Sequence, residues 1–165
     1  MTVNTDKAAD EPGYDFGGEC FDLSEEYDRR IVGFMLSQAL YGEARGVSCG
    51  PSPSTARSLE AARFYGRQAR QDIHHLQLFA DIFRALDMHP QPGHWTTRLL
   101  SPHHNYYPLK VLMEHAIGDG MAVDILRCVL IQALPDSDPR VAEIKEKLRA
   151  ICREEAEHVA WGEKE

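Results

Sequence analysis

The chain has 165 residues, enough to bury one core and too few for two. Apolar residues make up 43% and charged residues 27%, the balance of an ordinary globular domain. Lys and Arg total 18 against 26 Asp and Glu, and the net charge of -8 disfavours a nucleic-acid partner.

The densest basic stretch, from Arg57 to Arg70, reads as the solvated face of a helix. No run of 18 apolar residues is present to span a membrane, and MTVNTDKAADEPG lacks the apolar centre of an export signal. Cys20, Cys49, Cys128 and Cys152 show no C-x-x-C spacing and read as reduced thiols. The expectation is a cytoplasmic domain over 22–165, preceded by a flexible leader over 1–21.

Proline breaks a helix interior, so the proline positions divide the chain. They leave windows at 22–48, 55–88, 109–134 and 140–164, and each predicts a helix. The first carries Ile31, Met35, Leu36, Ala39, Leu40 and Val47 at helical spacing, with a cap expected from Asp22 with Ser24 or Glu25. The second carries Leu59, Ala62, Tyr65, Ala69, Ile73, Leu76, Phe79, Ile82, Phe83 and Leu86. The third opens at Pro108 and carries Leu109, Leu112, Ala116, Ile117, Ile125, Leu126 and Leu130. The fourth follows Asp138-Pro139 and carries Val141, Ile144, Leu148, Ile151, Val159 and Trp161. No stretch alternates apolar and polar residues long enough to predict a strand.

Four such helices predict an all-α antiparallel four-helix bundle. The segment 88–108 is too long for a hairpin and reads as a long crossover between helices 2 and 3, the connection found in ferritin-like bundles.

Glu155 and His158, three apart, project from one face of helix 4. Asp72 and His75 align with them in helix 2, at an offset of 83 residues read from the sequence. The apolar residues around both pairs fall on the same side, so both pairs are expected to face the core. Leu36 to Glu43 in helix 1 likewise aligns with Leu112 to Asp119 in helix 3, which makes Glu43 and Asp119 equivalent carboxylates, each preceded by glycine. The two alignments describe a pseudo-twofold: a carboxylate, then a carboxylate-x-x-His, then the same again. Gln71 with His74 is a competing pair in helix 2. Glu114 is an alternative to Asp119, placed on a different face by α-helical geometry. His115 reads as an extra ligand, as a hydrogen-bond donor to a ligand, or as a packed residue.

EEAEHVAWGEKE resembles the fourth-helix motif D/E-E-x-x-H-V-A-x-G of di-iron N-oxygenases and the tRNA-hydroxylase-like branch of the ferritin-like di-iron carboxylate proteins. It is more distantly similar to aldehyde-deformylating oxygenases and ribonucleotide reductase small subunits. The resemblance spans 24–164 in architecture and a few residues in detail. It implies Glu43, Asp72, His75, Asp119, Glu155 and His158 as the catalytic metal ligands, with Asp72 and Glu155 bridging. Aspartate stands at 72 and 119 where these families usually place glutamate.

The implied cofactors are two iron ions, with manganese as an alternative, and dioxygen as co-substrate. The implied reaction is hydroxylation or N-oxygenation of a small organic substrate with an external electron donor, and a homodimer is left open. Iron storage or peroxide detoxification, and a metal-free helical binding module, are the competing functions. Tyr41, Tyr65, Trp95 and Trp161 read as packed or rim residues, Cys128 and Cys152 as core, and His89, His94, His103 and His104 as exposed loop histidines.

Overall fold

The computed structural model describes residues 17–93 and 107–164. Within them the chain is all-helical, with four helices and no strand. α1 is Glu26–Cys49, α2 is Leu59–Ala85 and α4 is Val141–Gly162. The third helix, α3, is composite. It begins with Tyr107–Val111, widens into a π-helical stretch over Leu112–Asp119, narrows over Gly120–Asp124, widens again over Ile125–Leu130 and closes with Ile131–Ala133. The uniform α-helix expected there is therefore corrected.

The predicted windows overrun the helices, and local hydrogen bonds explain where each one starts and stops. Asp22 does not cap α1; its Oδ1 accepts from the backbone N–H (2.9 Å) and hydroxyl (2.6 Å) of Ser24, which makes a turn ahead of the helix. Ser58 caps α2, its hydroxyl oxygen accepting from the Ala61 N–H at 3.0 Å. At the other end of α2, Asp87 takes φ 50° and turns the chain out of the helix. Arg29 donates to the carbonyls of Leu86 and Asp87, and Arg140 to that of Ala85, which places two cations at the negative end of the helix dipole.

Burial divides the bundle into three layers. A large apolar cluster joins Val32 and Leu36 of α1, Phe79 and Ile82 of α2, Leu126 and Leu130 of α3, and Ile144 and Leu148 of α4. A smaller one joins Ala61, Phe64 and Tyr65 of α2 with Tyr107 and Trp161. Between them lies a layer of buried polar groups: Glu43, Asp72, His75, His115, Glu155 and His158. Along α1 and α4 the sequence leads from the large apolar cluster into the polar layer. Along α2 and α3 it leads from the polar layer into that cluster.

Two residues of the predicted apolar stripe of α2 point away from the core: Leu59 is 68% and Ile73 50% exposed. Arg57, Arg63, Arg67 and Arg70 are exposed, as a solvated face requires. Cys152 belongs to the large apolar cluster and Cys128 is half-buried. No described helix is long and apolar enough to cross a membrane. Residues 1–16 of the expected leader, and His94, Trp95, His103 and His104 with most of the expected crossover, lie outside the described residues.

The layering predicts that Phe79→Ala, at a fully buried position, lowers stability by about 3–5 kcal/mol, whereas Ile73→Ala stays within about 0.5 kcal/mol. Urea denaturation of the two variants measures both, and equal losses would mean that α2 presents a different face.

Candidate metal centre

The polar layer, with the partly exposed Asp119 at its edge, brings together all six residues singled out by the two alignments. One ligand atom from each of Glu43, Asp72, His75 and Glu155 lies within 4.8 Å of the others, and Asp119, Glu155 and His158 form a second such group. Glu155 belongs to both. Asp72 lies in the first group and reaches to 4.0 Å from His158 Nδ1. Asp119 is 3.9 Å from the same nitrogen. All are buried except Asp119, which keeps a little exposure on a cavity wall.

Both imidazoles turn Nδ1 inwards and Nε2 outwards. His75 Nε2 donates to Glu154 Oε2 at 2.9 Å, and His158 Nε2 donates to Gln71 Oε1 at 3.1 Å. The two partners occupy equivalent places in the alignment, each directly before a cluster carboxylate, and each reaches across to the other helix's histidine. An outward Nε2–H fixes ring orientation and leaves Nδ1 for the cluster, the way histidine metal ligands are held. Gln71 thus contributes to the centre as an anchor for His158, while His74 is exposed and takes no part. Glu154 escaped the sequence reading, although its alignment with Gln71 was the available signal.

The π winding of α3 corrects the expected placement of Glu114. With i→i+5 geometry, Glu114 and Asp119 come round to the same side and line one cavity. His115 is fully buried, and its Nδ1 lies 2.9 Å from Asp119 Oδ2, where it orients that carboxylate. Tyr65 stacks its ring parallel to His115 and bonds through its hydroxyl to that of Tyr107. Trp161 stacks on Phe64 at 4.4 Å between centroids and closes the layer from the aromatic side.

Glycines bring the backbones close enough for this. A Cβ at Gly46 would lie 2.6 Å from Glu114 Oε1 and 3.1 Å from Asp72 Oδ2, so bare backbone on α1 makes room for two carboxylates. At Gly162 a Cβ would lie 2.4 Å from that of His115, so α4 reaches α3 there only as glycine.

The electrostatics are those of negative charge held away from water. Burial, helped by the charges of Glu43 and Glu155, pushes the Asp72 carboxyl up to about 9. Burial and the Glu155 charge carry Glu43 to about 7 against the pull of His75, and burial and Glu155 carry Glu114 to about 7. Asp119 is raised by the same two causes. Burial would raise Glu155 as well, but its contacts with His158 and His75 outweigh that and hold it well below the usual carboxylate range. Burial works against a charged His75, yet Glu155 and Glu43 keep its proton up to about 11. Burial and the neighbouring His158 push His115 down to about 4, so it is a neutral ring.

These residues fit a metal. Among the described residues, the ion-pair partners of Glu43, Asp72, Asp119 and Glu155 are imidazoles alone. Glu155 Oε1 is 2.9 Å from His75 Nδ1 but out of hydrogen-bond alignment, which leaves it buried without a donor. His75 Nδ1 bonds Glu43 Oε2 at 3.2 Å and His158 Nδ1 bonds Glu155 Oε2 at 3.3 Å, yet these bonds use only part of the crowded oxygen and nitrogen set. A donor set left incompletely bonded suits a cation placed among it. Beside them a cavity of about 150 Å³ opens between α1 and α3, with Gly42 and Gly118 on its wall. Comparison with protein-family models, curated proteins and solved structures finds no match to this chain.

Two predictions follow from the charges and the packing. In metal-free protein, native Asp72, Glu43, Glu114 and His75 hold protons that the unfolded chain releases at lower pH. Stability therefore falls as pH rises from about 5 to about 9, readable as a declining Tm, and a flat or rising profile would contradict the burial of these groups. His115 contributes in the opposite sense only below its unfolded value of 6.5. Gly162→Ala, which drives a methyl into His115, is expected to cost about 1–3 kcal/mol in denaturant unfolding.

Proposed function

We propose that this protein is a ferritin-like di-iron enzyme that activates dioxygen to hydroxylate or N-oxygenate a small organic substrate. The observation that carries the reading is the pair of donor groups joined by Glu155, with donor atoms close together yet incompletely bonded to one another. Glu43, Asp72 and His75 would hold one ion, Asp119 and His158 the other, and Glu155 would join them. Four carboxylates balance the charge of two divalent ions.

The order in which the helices pass through the layers supports a ferritin-like course. α1 and α4 run in one sense and α2 and α3 in the other, the helix directions of a ferritin-like bundle. Shared spacing with di-iron oxygenases supports iron over other metals.

Iron held by these residues would supply the Lewis acidity and relay the electrons that reduction of dioxygen requires. Transfer of one oxygen atom to substrate would send the other to water and draw two electrons and two protons from an external donor. The chain's own residues do the rest. Glu154 and Gln71 keep the two imidazoles in the tautomer that points Nδ1 inwards, and His115 steadies Asp119. The large apolar cluster and the stacked Phe64–Trp161 pair exclude water from both sides of the layer. The cavity beside Asp119 and Glu155 gives a substrate direct access to the centre. That access favours oxygenation over iron storage.

Anaerobic Fe(II) reconstitution followed by metal analysis tests the proposal. Two irons per chain, with optical and Mössbauer changes on admission of oxygen, are expected. A folded helical protein that binds no metal would overturn the reading in favour of a binding module. Glu155→Ala and His158→Ala are each expected to abolish oxygen consumption while the helical circular dichroism persists, and retained consumption in either would count against the assignment.

A further inference from the structure

The cavity carries a cation that the acidic layer does not use. Arg45 lines it from α1, and its Nη1 is shut off from solvent with no hydrogen-bond acceptor among the described residues. Five carboxylates share the same cavity wall, those of Glu43, Asp72, Glu114, Asp119 and Glu155, and none forms an ion pair with Arg45. A guanidinium cannot shed its charge, and Arg45 is the one cation among the residues lining the cavity, so an anionic group placed there has it as a partner. Its planar fork matches a carboxylate better than any neutral acceptor.

Gln38 and Ala39 of α1 also line it, and its apolar face is formed by Met113, Met121, Ala122 and Ile125 of α3. Nothing lies within 4 Å of where a Cβ on Gly42 would stand, so the α1 side of the cavity is open. A cavity of about 150 Å³ accommodates a body the size of one benzene ring.

We propose that the ligand of this cavity is a small organic carboxylate of about six carbons, its anionic end paired with Arg45 and its apolar body lying along Met113, Met121 and Ile125 against the acidic layer. As the substrate class of the enzyme this rests on the two-metal reading, in which the ions balance the layer's negative charge and leave Arg45 free to select an anion. The apolar strip sets the size of the body, and Arg45 sets its charge.

Isothermal titration calorimetry with hexanoate, 1-hexanol and hexylamine tests this on the full chain loaded with Mn(II), after metal content has been measured separately. Saturable hexanoate binding is expected, and Arg45→Gln should weaken it about tenfold to a hundredfold while Mn(II) stoichiometry and hexanol binding stay unchanged. Gly42→Leu, which fills the open side, should weaken hexanoate and hexanol alike. The proposal is overturned by equal hexanoate affinity in the native chain and Arg45→Gln, by tighter binding of hexylamine, by no saturable hexanoate binding, or by an unchanged Gly42→Leu variant. If Mn(II) fails to bind while hexanoate still depends on Arg45, the two-metal reading falls and the carboxylate site stands.

Discussion

Each carboxylate moved from water into the interior of a bundle costs several kcal/mol unless positive charge or hydrogen-bond donors replace its hydration. Four of them converge here in one layer, and the only charged partners they meet among the described residues are imidazoles. The layer can persist only because it is confined. Apolar packing closes it above and below, so the cost is concentrated at one level of the bundle and offset by burial at the others. Raised carboxyl proton affinities and a strongly protonated His75 are the response of the metal-free chain to that confinement.

Helix geometry serves the same requirement. An aspartate at position 72 is one methylene shorter than the glutamate usual in the resembling families, and Gly46 removes the Cβ that would otherwise crowd its oxygens. In α3 the wide π turns draw Glu114 and Asp119 to one side, which α-helical winding would have separated. Gly162 lets α4 touch the ring-bearing residue His115. These adjustments place side chains of ordinary reach into contact across four helices, and they leave beside the carboxylates a cavity that close packing would have filled.

The internal symmetry extends beyond the six aligned positions. Gln71 and Glu154 are equivalent by sequence alignment, and each anchors the imidazole of the opposite helix. One anchor is an amide and the other a carboxylate, so the two halves of the centre are related in position but unequal in charge. An anionic partner makes an imidazole the stronger donor, which separates the chemistry of the His75 half from that of the His158 half.

Proline placement and helical spacing were enough to delimit four helices, because a proline in a helix interior and an apolar stripe out of phase are both costly locally. Repeated carboxylate-x-x-His spacing picked out Asp72, His75, Glu155 and His158, since residues three apart on a helix share a face, and the alignment of the first helix with the third added Glu43 and Asp119. The sequence left Gln71 with His74 as an alternative to Asp72 with His75, and only the rotation of α2 in the bundle decided between them: His75 is buried and His74 is exposed. The π winding of α3, the inward reach of Glu114, the anchoring of His158 by Gln71 and the stranded guanidinium nitrogen of Arg45 were decided by tertiary packing. None of these follows from local spacing, because each depends on how closely another helix approaches. That approach is set by which positions lack a Cβ once the four helices are assembled.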